Sequence, residues 1–543
     1  MPENNNFAKW YHKAVVYHIY TKSFKDSNSD GLGDLEGVIN KLDYLNNGTE
    51  NSLGIGAIWL SPFYKSPQVD HGYDISDYRS IDPVFGDLET FKKLVAECQK
   101  RNIRIIIDFV INHTSSDHLW FQESRSSRDN PKRDWYIWRD PKEDGSPPNN
   151  WLSVFGGPAW TLDKNTGQYY FHSFLPEQPD LNWRHDEVQE EMKNVARFWL
   201  DLGIDGFRID AIEHLIEDSY LRDDPRNPDY VPLRDDPYLL NEHLFSKSQD
   251  DLSYCINALC ELISEYPDKF IVSEAYVDIP KIVSLYRACE QKVHAPFNFN
   301  LMGKPWSATE YRDFVDRFEK ALSQNDWPNY VFGNHDRSRL ISRLGEEKAK
   351  IVAVILLTLR GMPFIYYGDE IGMSDVSIKP EDIKDPFATM VADIKFSRDP
   401  QRSPMQWSGE EYAGFSKVKP WLPVASDFKK KNVETELKDP DSILNLYRTL
   451  INFRNRTPAL QYGSYRSLDT ASPDIFAYVR EHGEDKILVM LNFSDQKIKE
   501  SPPFDRVRLI CSTSRTAGEN AEIKGGITLE PYEGCVLGIE KNS

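Results

Sequence analysis

Nowhere does the chain of 543 residues carry the run of about 18 apolar residues that a membrane helix needs, and its polar start, Met1 to Trp10, has no signal-peptide core. As written, it reads as a soluble protein. Basic charge is in short supply: 65 Lys and Arg stand against 85 Asp and Glu, a formal net charge of −20. That excludes the basic face which releases counterions from a nucleic acid, and favours a neutral or cationic ligand. Cysteine is scarce. Six residues, Cys98, Cys255, Cys260, Cys289, Cys511 and Cys535, are too few and too scattered to frame a disulfide scaffold. Cys255 and Cys260 share a helical stretch at a spacing poor for metal ligation. Cys511 and Cys535 flank adjacent C-terminal strands and are the pair expected to bridge. Internal repeats are absent. The triplets starting at Asn47, Asn455 and Asn492 fit secretion, so the compartment stays open between extracellular, with the signal peptide missing from this chain, and cytoplasmic.

What is present points to a large globular protein. Hydrophobic residues at 40% can fill a sizeable core, and the length suits a barrel of roughly 250 residues with insertions plus a further module. Short apolar runs alternate with amphipathic helical stretches, as in a parallel sheet wrapped by helices. Eight candidate strands follow: 15–20, 56–60, 104–110, 206–210, 270–274, 294–299, 330–332 and 363–366. The fold expected is therefore α/β: a (β/α)8 TIM barrel over 1–110 and 183–464, an inserted subdomain over 111–182 after strand three, and a C-terminal antiparallel β-sandwich over 465–543. The segment 368–424 reads as an irregular insertion after strand eight, and 442–454 as a helix.

Catalytic groups of such barrels sit at the C-terminal strand ends. Strand four ends on Asp210, strand five on Glu274, and strand seven runs into Asp336. Strand three contributes Asp108, Asn112 and His113, and Arg208 shares the inward face of Asp210 by the period-two rule. Cleaving an acetal takes one carboxylic acid to protonate the leaving oxygen and one carboxylate to trap the cationic centre. Arg208 would hold Asp210 ionised, and burial beside like charges would keep a proton on Glu274. Any one of these acids alone reads equally well as a helix cap.

Together, Asp108-Phe-Val-Ile-Asn112-His113, Gly206-Phe-Arg-Ile-Asp210, Ser273-Glu274-Ala-Tyr and Phe332-Gly-Asn-His335-Asp336 resemble the four signature regions of glycoside hydrolase family 13, the α-amylase family. Gln178-Pro-Asp-Leu-Asn182 resembles the fifth, in the form found in its oligo-1,6-glucosidase and insect maltase branch. The resemblance runs from about Val15 into the C-terminal module. It implies a retaining double displacement with Asp210 as nucleophile, Glu274 as acid/base and Asp336 gripping ring hydroxyls, aided by His113 and His335. By the same carry-over Asp70 pairs with Arg402 to close the far end of a glucose pocket, and Tyr73, Phe155 and Phe174 wall it. The implied activity is an exo-acting α-glucosidase on short α-glucosides, maltose-type or sucrose, with a sucrose-specific hydrolase or a transglucosidase as alternatives. Ala211, following the nucleophile, leans away from α-1,6 bonds. The rival of another class is an inactive relative similar to the heavy chains of amino-acid transporters. Those carry a membrane helix and lack catalytic acids, unlike this chain.

One further motif places oxygen ligands at alternating positions with glycine sixth: Asp26, Asn28, Asp30, Leu32 through its carbonyl, and Asp34. The pattern is that of a shortened EF-hand-type loop, and a structural Ca2+ is expected there.

Overall fold

The computed structural model describes residues 9–514, 522–523 and 525–540, so the polar start lies outside it up to Ala8. Eight parallel strands form one sheet: β1 (Val16–Ile19), β2 (Ala57–Leu60), β3 (Arg104–Phe109), β4 (Gly206–Ile209), β5 (Phe270–Ser273), β6 (His294–Pro296), β7 (Asn329–Val331) and β8 (Met362–Tyr366). Their order is β6-β5-β4-β3-β2-β1-β8-β7. The two ends meet where the Val331 N–H donates to the Asn298 carbonyl at 3.1 Å, and the sheet closes into the expected TIM barrel. Every residue of β1, β2, β4 and β5 is buried, which is why these strands read as unbroken apolar runs rather than alternating ones.

Helices between the strands cover the outside. Leu88–Lys100 follows β2, Asp186–Asp201 precedes β4, and Ile443–Arg456 follows β8. Capping sets several starts: Asp87 accepts from Thr90 N–H, and Ser442 from Asn445 N–H. One glycine matters for the site. A Cβ on Gly206 would lie 1.9 Å from the Phe270 carbonyl oxygen, so only glycine lets β4 and β5 approach as they do.

Between β3 and β4 the chain builds a three-stranded sheet of Trp138–Arg139, Trp160–Asp163 and Gln168–Phe171. At the C-terminus a six-stranded antiparallel sheet is covered on one face by the paired strands Ile498–Glu500 and Ile527–Leu529. Leu488, Leu509, Leu529 and Leu537 fill that interior. The other face, with Tyr478, Val489 and Val536, joins the main core, so both sides of this sheet are buried.

The expected Cys511–Cys535 bridge does not form. Their strands do pair, but Cys511 stands opposite Val536 and Ser512 opposite Cys535. That offset of one residue puts the sulfurs on opposite faces, Cys511 toward the barrel and Cys535 inside the sandwich. The disulfide lies instead between Cys260 and Cys289, in the helical layer outside β5 and β6, with Cα atoms 5.8 Å apart. Asn492 is fully buried and donates to the Gln496 and Glu530 carbonyls, which removes it as a glycan acceptor in the folded chain.

Candidate active site

Strand register assembles the charged centre. Asp108 stands beside Arg208 on adjacent strands, and Ile209 beside Ser273, so the residues that follow, Asp210 and Glu274, emerge at one level. Neighbouring strands lie about 4.8 Å apart. Arg208, 1% exposed, is the hub: Nη1 donates to Asp108 Oδ1 at 2.5 Å and Asp210 Oδ1 at 2.6 Å, and Nη2 lies 2.6 Å from Glu274 Oε2. Trp59 and Tyr73 donate to the second oxygen of Asp108, at 3.0 and 3.2 Å. Asp108 therefore holds the arginine that holds both acids.

Burial raises Asp210 and Glu274, each to about 7, and Arg208 opposes that rise in both. Two acids this close lose their protons in separate steps that belong to the pair. Burial thus holds both acids above the usual carboxylate range, so a proton is retained close to neutrality, as a carboxylic acid donor requires, while Arg208 favours the anion a carboxylate nucleophile needs. Asp336 is the opposite case. Burial disfavours its anion, but His335, Arg398, Arg402 and Arg208 outweigh this and hold the carboxyl far below its usual range. Burial also keeps His335 neutral, so the anion rests mainly on Arg402 at 2.8 Å and Arg398 at 3.3 Å.

The remaining pocket residues come from different loops. Tyr73 hydroxyl meets His335 Nε2 at 2.7 Å, and the two rings stack with centroids 5.3 Å apart. His113 Nε2 lies 3.2 Å from the Tyr73 carbonyl and 3.1 Å from the Gln178 amide, and burial keeps its ring neutral. Phe174 packs on His113 and on Phe155, with centroids at 5.1 and 5.8 Å.

One expected contact is replaced. Asp70 pairs with Arg398, at 2.9 Å, and no ion pair joins it to Arg402, whose Nη2 goes to Asp336 and whose Nε donates to the His335 carbonyl. Arg398 also bonds Asp385 at 2.7 Å and lies 4.8 Å over the Phe155 ring. Nothing in the sequence marks Arg398 as this partner, whereas Arg402 opens Arg402-Ser-Pro-Met-Gln-Trp407, one of the stretches in which the chain resembles the family. Yet the two arginines stand four residues apart around the short helix Pro400–Arg402, and both reach Asp336.

The loop expected to hold calcium is folded as a chain of side-chain-to-backbone bonds. Asp26 accepts from the N–H groups of Asn28, Ser29 and Gly31, Asn28 from Asp30, Asp30 from Leu32, and Asp34 from Ser27 and Gly37. Among the described residues no three His, Cys, Asp or Glu side chains converge as a metal cage. As arranged, the loop's carboxylates face N–H donors rather than one another.

A closed parallel barrel whose strand ends bring an arginine and buried carboxylates onto one rim defines a barrel glycoside hydrolase. The catalytic-domain model of α-amylases matches residues 18–463, and the C-terminal-domain model of maltogenic amylases matches 465–536. The chain belongs to the α-amylase family. It is 39% identical to the oligo-1,6-glucosidase of Heyndrickxia coagulans, over 98% of this chain and 100% of that one. It is 38% identical to a probable α-glucosidase of Rhizobium meliloti, over 92% of each. The solved α-glucosyl transfer enzyme XgtA superposes with a TM-score of 0.91 at 38% identity, over 98% of this chain and 100% of that one.

Proposed function

We propose that this protein is an exo-acting, retaining α-glucosidase that releases α-glucose from the non-reducing end of short α-glucosides of the maltose type, sucrose, or both. The observation that carries exo-action is Arg398. By bonding Asp70, Asp336 and Asp385 at once, it ties the loops after β2, β7 and β8 together, and in the reading proposed here that tie closes the glucose pocket away from the catalytic pair. A clamp of fixed forked charges grips terminal hydroxyls and leaves a longer chain no way through.

In the mechanism proposed, the Asp210 carboxylate attacks the anomeric carbon while Glu274 gives its proton to the departing oxygen; Glu274 then takes a proton from the water that releases glucose. Asp336, ionised throughout, accepts hydrogen bonds from ring hydroxyls. Asp70, Tyr73, His113, Phe155, Phe174, Arg208, His335 and Arg402 complete the site in binding or positioning roles. The test is glucose release from maltose, isomaltose, sucrose and trehalose. Activity on maltose or sucrose is expected, with α-glucose formed first by NMR, and inactivity on all four sugars would sink the reading. The likeness to XgtA favours transfer as a second reading: oligosaccharide products outpacing free glucose at high maltose would select it.

Linkage preference rests on Ala211, which sits buried at φ 44 beside both acids, its N–H 3.4 Å from Glu274 Oε2. Ala211→Val is expected to raise the ratio of isomaltose to maltose activity by at least about tenfold. A β-branched residue at positive φ is strained, so a lower melting temperature should accompany it. An unchanged ratio would remove Ala211 as the determinant.

We also propose that Asp26, Asn28, Asp30, Leu32 and Asp34 bind a structural Ca2+. The spacing of oxygens and the turn at Gly31, φ 91, support it; the exposed Asp30 would have to swing toward Asp26. Chelation is expected to lower the melting temperature and added Ca2+ to restore it. A melting temperature indifferent to both would overturn the site.

A further inference from the structure

We propose that a cleft on the back of the glucose pocket is a second saccharide-binding site. The cleft, about 680 Å3, opens between the hairpin of Tyr64–Lys65 and Asp77–Ile81 and the start of helix Leu119–Ser126. Its size falls within the roughly 300–1,000 Å3 of small-molecule sites.

Its lining is the reason for assigning a sugar. Trp120 is only part buried, braced by His118 and Trp135 with centroids at 4.2 and 5.2 Å, and its indole N–H has no partner among the described residues. The Lys65 ammonium and the Asp117 carboxylate, both exposed, are likewise without hydrogen-bond or ion-pair partners among the described residues. Gln122 spends its amide N–H on the Ser116 carbonyl, which leaves its amide oxygen to accept. Both signs of charge line the cleft: Lys65 and Arg79 on one side of the balance, Asp77 and Asp117 on the other, with Arg79 already paired to Glu191 at 2.9 Å. An anion or a cation would meet a like charge there. A neutral polyol, whose hydroxyls both donate and accept and whose C–H face lies on an indole, satisfies the whole set.

The site is separate from the catalytic pocket but shares its wall. Tyr78 on the cleft floor places its hydroxyl 2.8 Å from the carbonyl oxygens of both Val110 and His113. Ser66 on the rim donates to Asp74, which in turn accepts from the Asp70 N–H. The assignment does not depend on which linkage the catalytic pocket cuts.

The test is calorimetric titration of maltotetraose into the full-length protein saturated with 1-deoxynojirimycin, a glucose mimic that fills the catalytic pocket. A second isotherm with Kd on the order of millimolar is expected. Trp120→Ala should abolish it. Because Trp120 also packs on core aromatics, the surface double variant Lys65→Ala/Asp117→Ala is the independent check. That variant should bind at least about threefold more weakly, with hydrolysis of maltose unchanged in the absence of inhibitor. No heat above dilution in the inhibitor-filled protein would overturn the site, as would a double variant that binds maltotetraose as tightly as the parent.

Discussion

Asp210→Asn is expected to lower kcat on maltose or sucrose by at least about a thousandfold, equivalent to about 4 kcal/mol of transition-state stabilisation. The change is nearly isosteric and keeps an acceptor for Arg208 Nη1, which still holds Asp108 at 2.5 Å and, through Nη2, Glu274 at 2.6 Å. The fold should therefore survive, and the loss can be read as chemistry. Glu274→Gln gives a second signature. Burial raises Glu274 to about 7, so in the parent kcat/KM should fall as pH rises through that value and the acid loses its proton. Glutamine cannot titrate. The variant's remaining activity, measured on a substrate whose leaving group needs no protonation, such as p-nitrophenyl α-glucoside, should lose that alkaline limb. Full activity in Asp210→Asn, or an alkaline limb persisting unchanged in Glu274→Gln, would overturn the assignment of roles.

The barrel and its acids were readable in the sequence because the signals are local. All eight expected strands are present, within a few residues at each end, since a strand buried on both faces is written as an unbroken apolar run. Asp210 and Glu274 fall at strand ends, where backbone order alone fixes a side chain's place. Contacts that depend on how loops fold back were harder to read. Arg398 reaches Asp70 across 328 positions, and nothing short-range in the segment 368–424 separates its role from that of Arg402. The cysteines failed for a related reason: adjacency of strands was legible, but the register that sets which face each sulfur occupies was not. Arg208 fell between these cases. Its inward face followed from period two, whereas its grip on Glu274 required the register of β4 against β5.

The exchange of Arg402 for Arg398 as partner of Asp70 makes a sharp quantitative expectation. Asp385 and Asp70 are almost wholly buried and both rely on Arg398, as does Asp336 in part. Burial lifts Asp70 to about 6 even with both arginines nearby, so losing Arg398 would leave it neutral at pH 7 and unable to grip a hydroxyl as an anion. Asp385 would stay buried and unpaired. Arg398→Ala is accordingly expected to cost about 3–5 kcal/mol of stability, read by urea unfolding, and to lower kcat/KM for maltose by about a hundredfold or more. Leaving a partnerless charge is not the same as measuring a pair, so the decisive experiment is the double-mutant cycle. Asp70→Ala with Arg398→Ala should show a coupling of about 0.5–3 kcal/mol. Asp70→Ala with Arg402→Ala should show less, because Arg402 spends its Nη2 and Nε on Asp336 and the His335 carbonyl. Asp336→Asn with Arg402→Ala should in turn couple strongly. If Asp70 couples more tightly to Arg402 than to Arg398, the clamp is the one first expected from the sequence motif, and the seal that supports exo-action must be redrawn around Arg402.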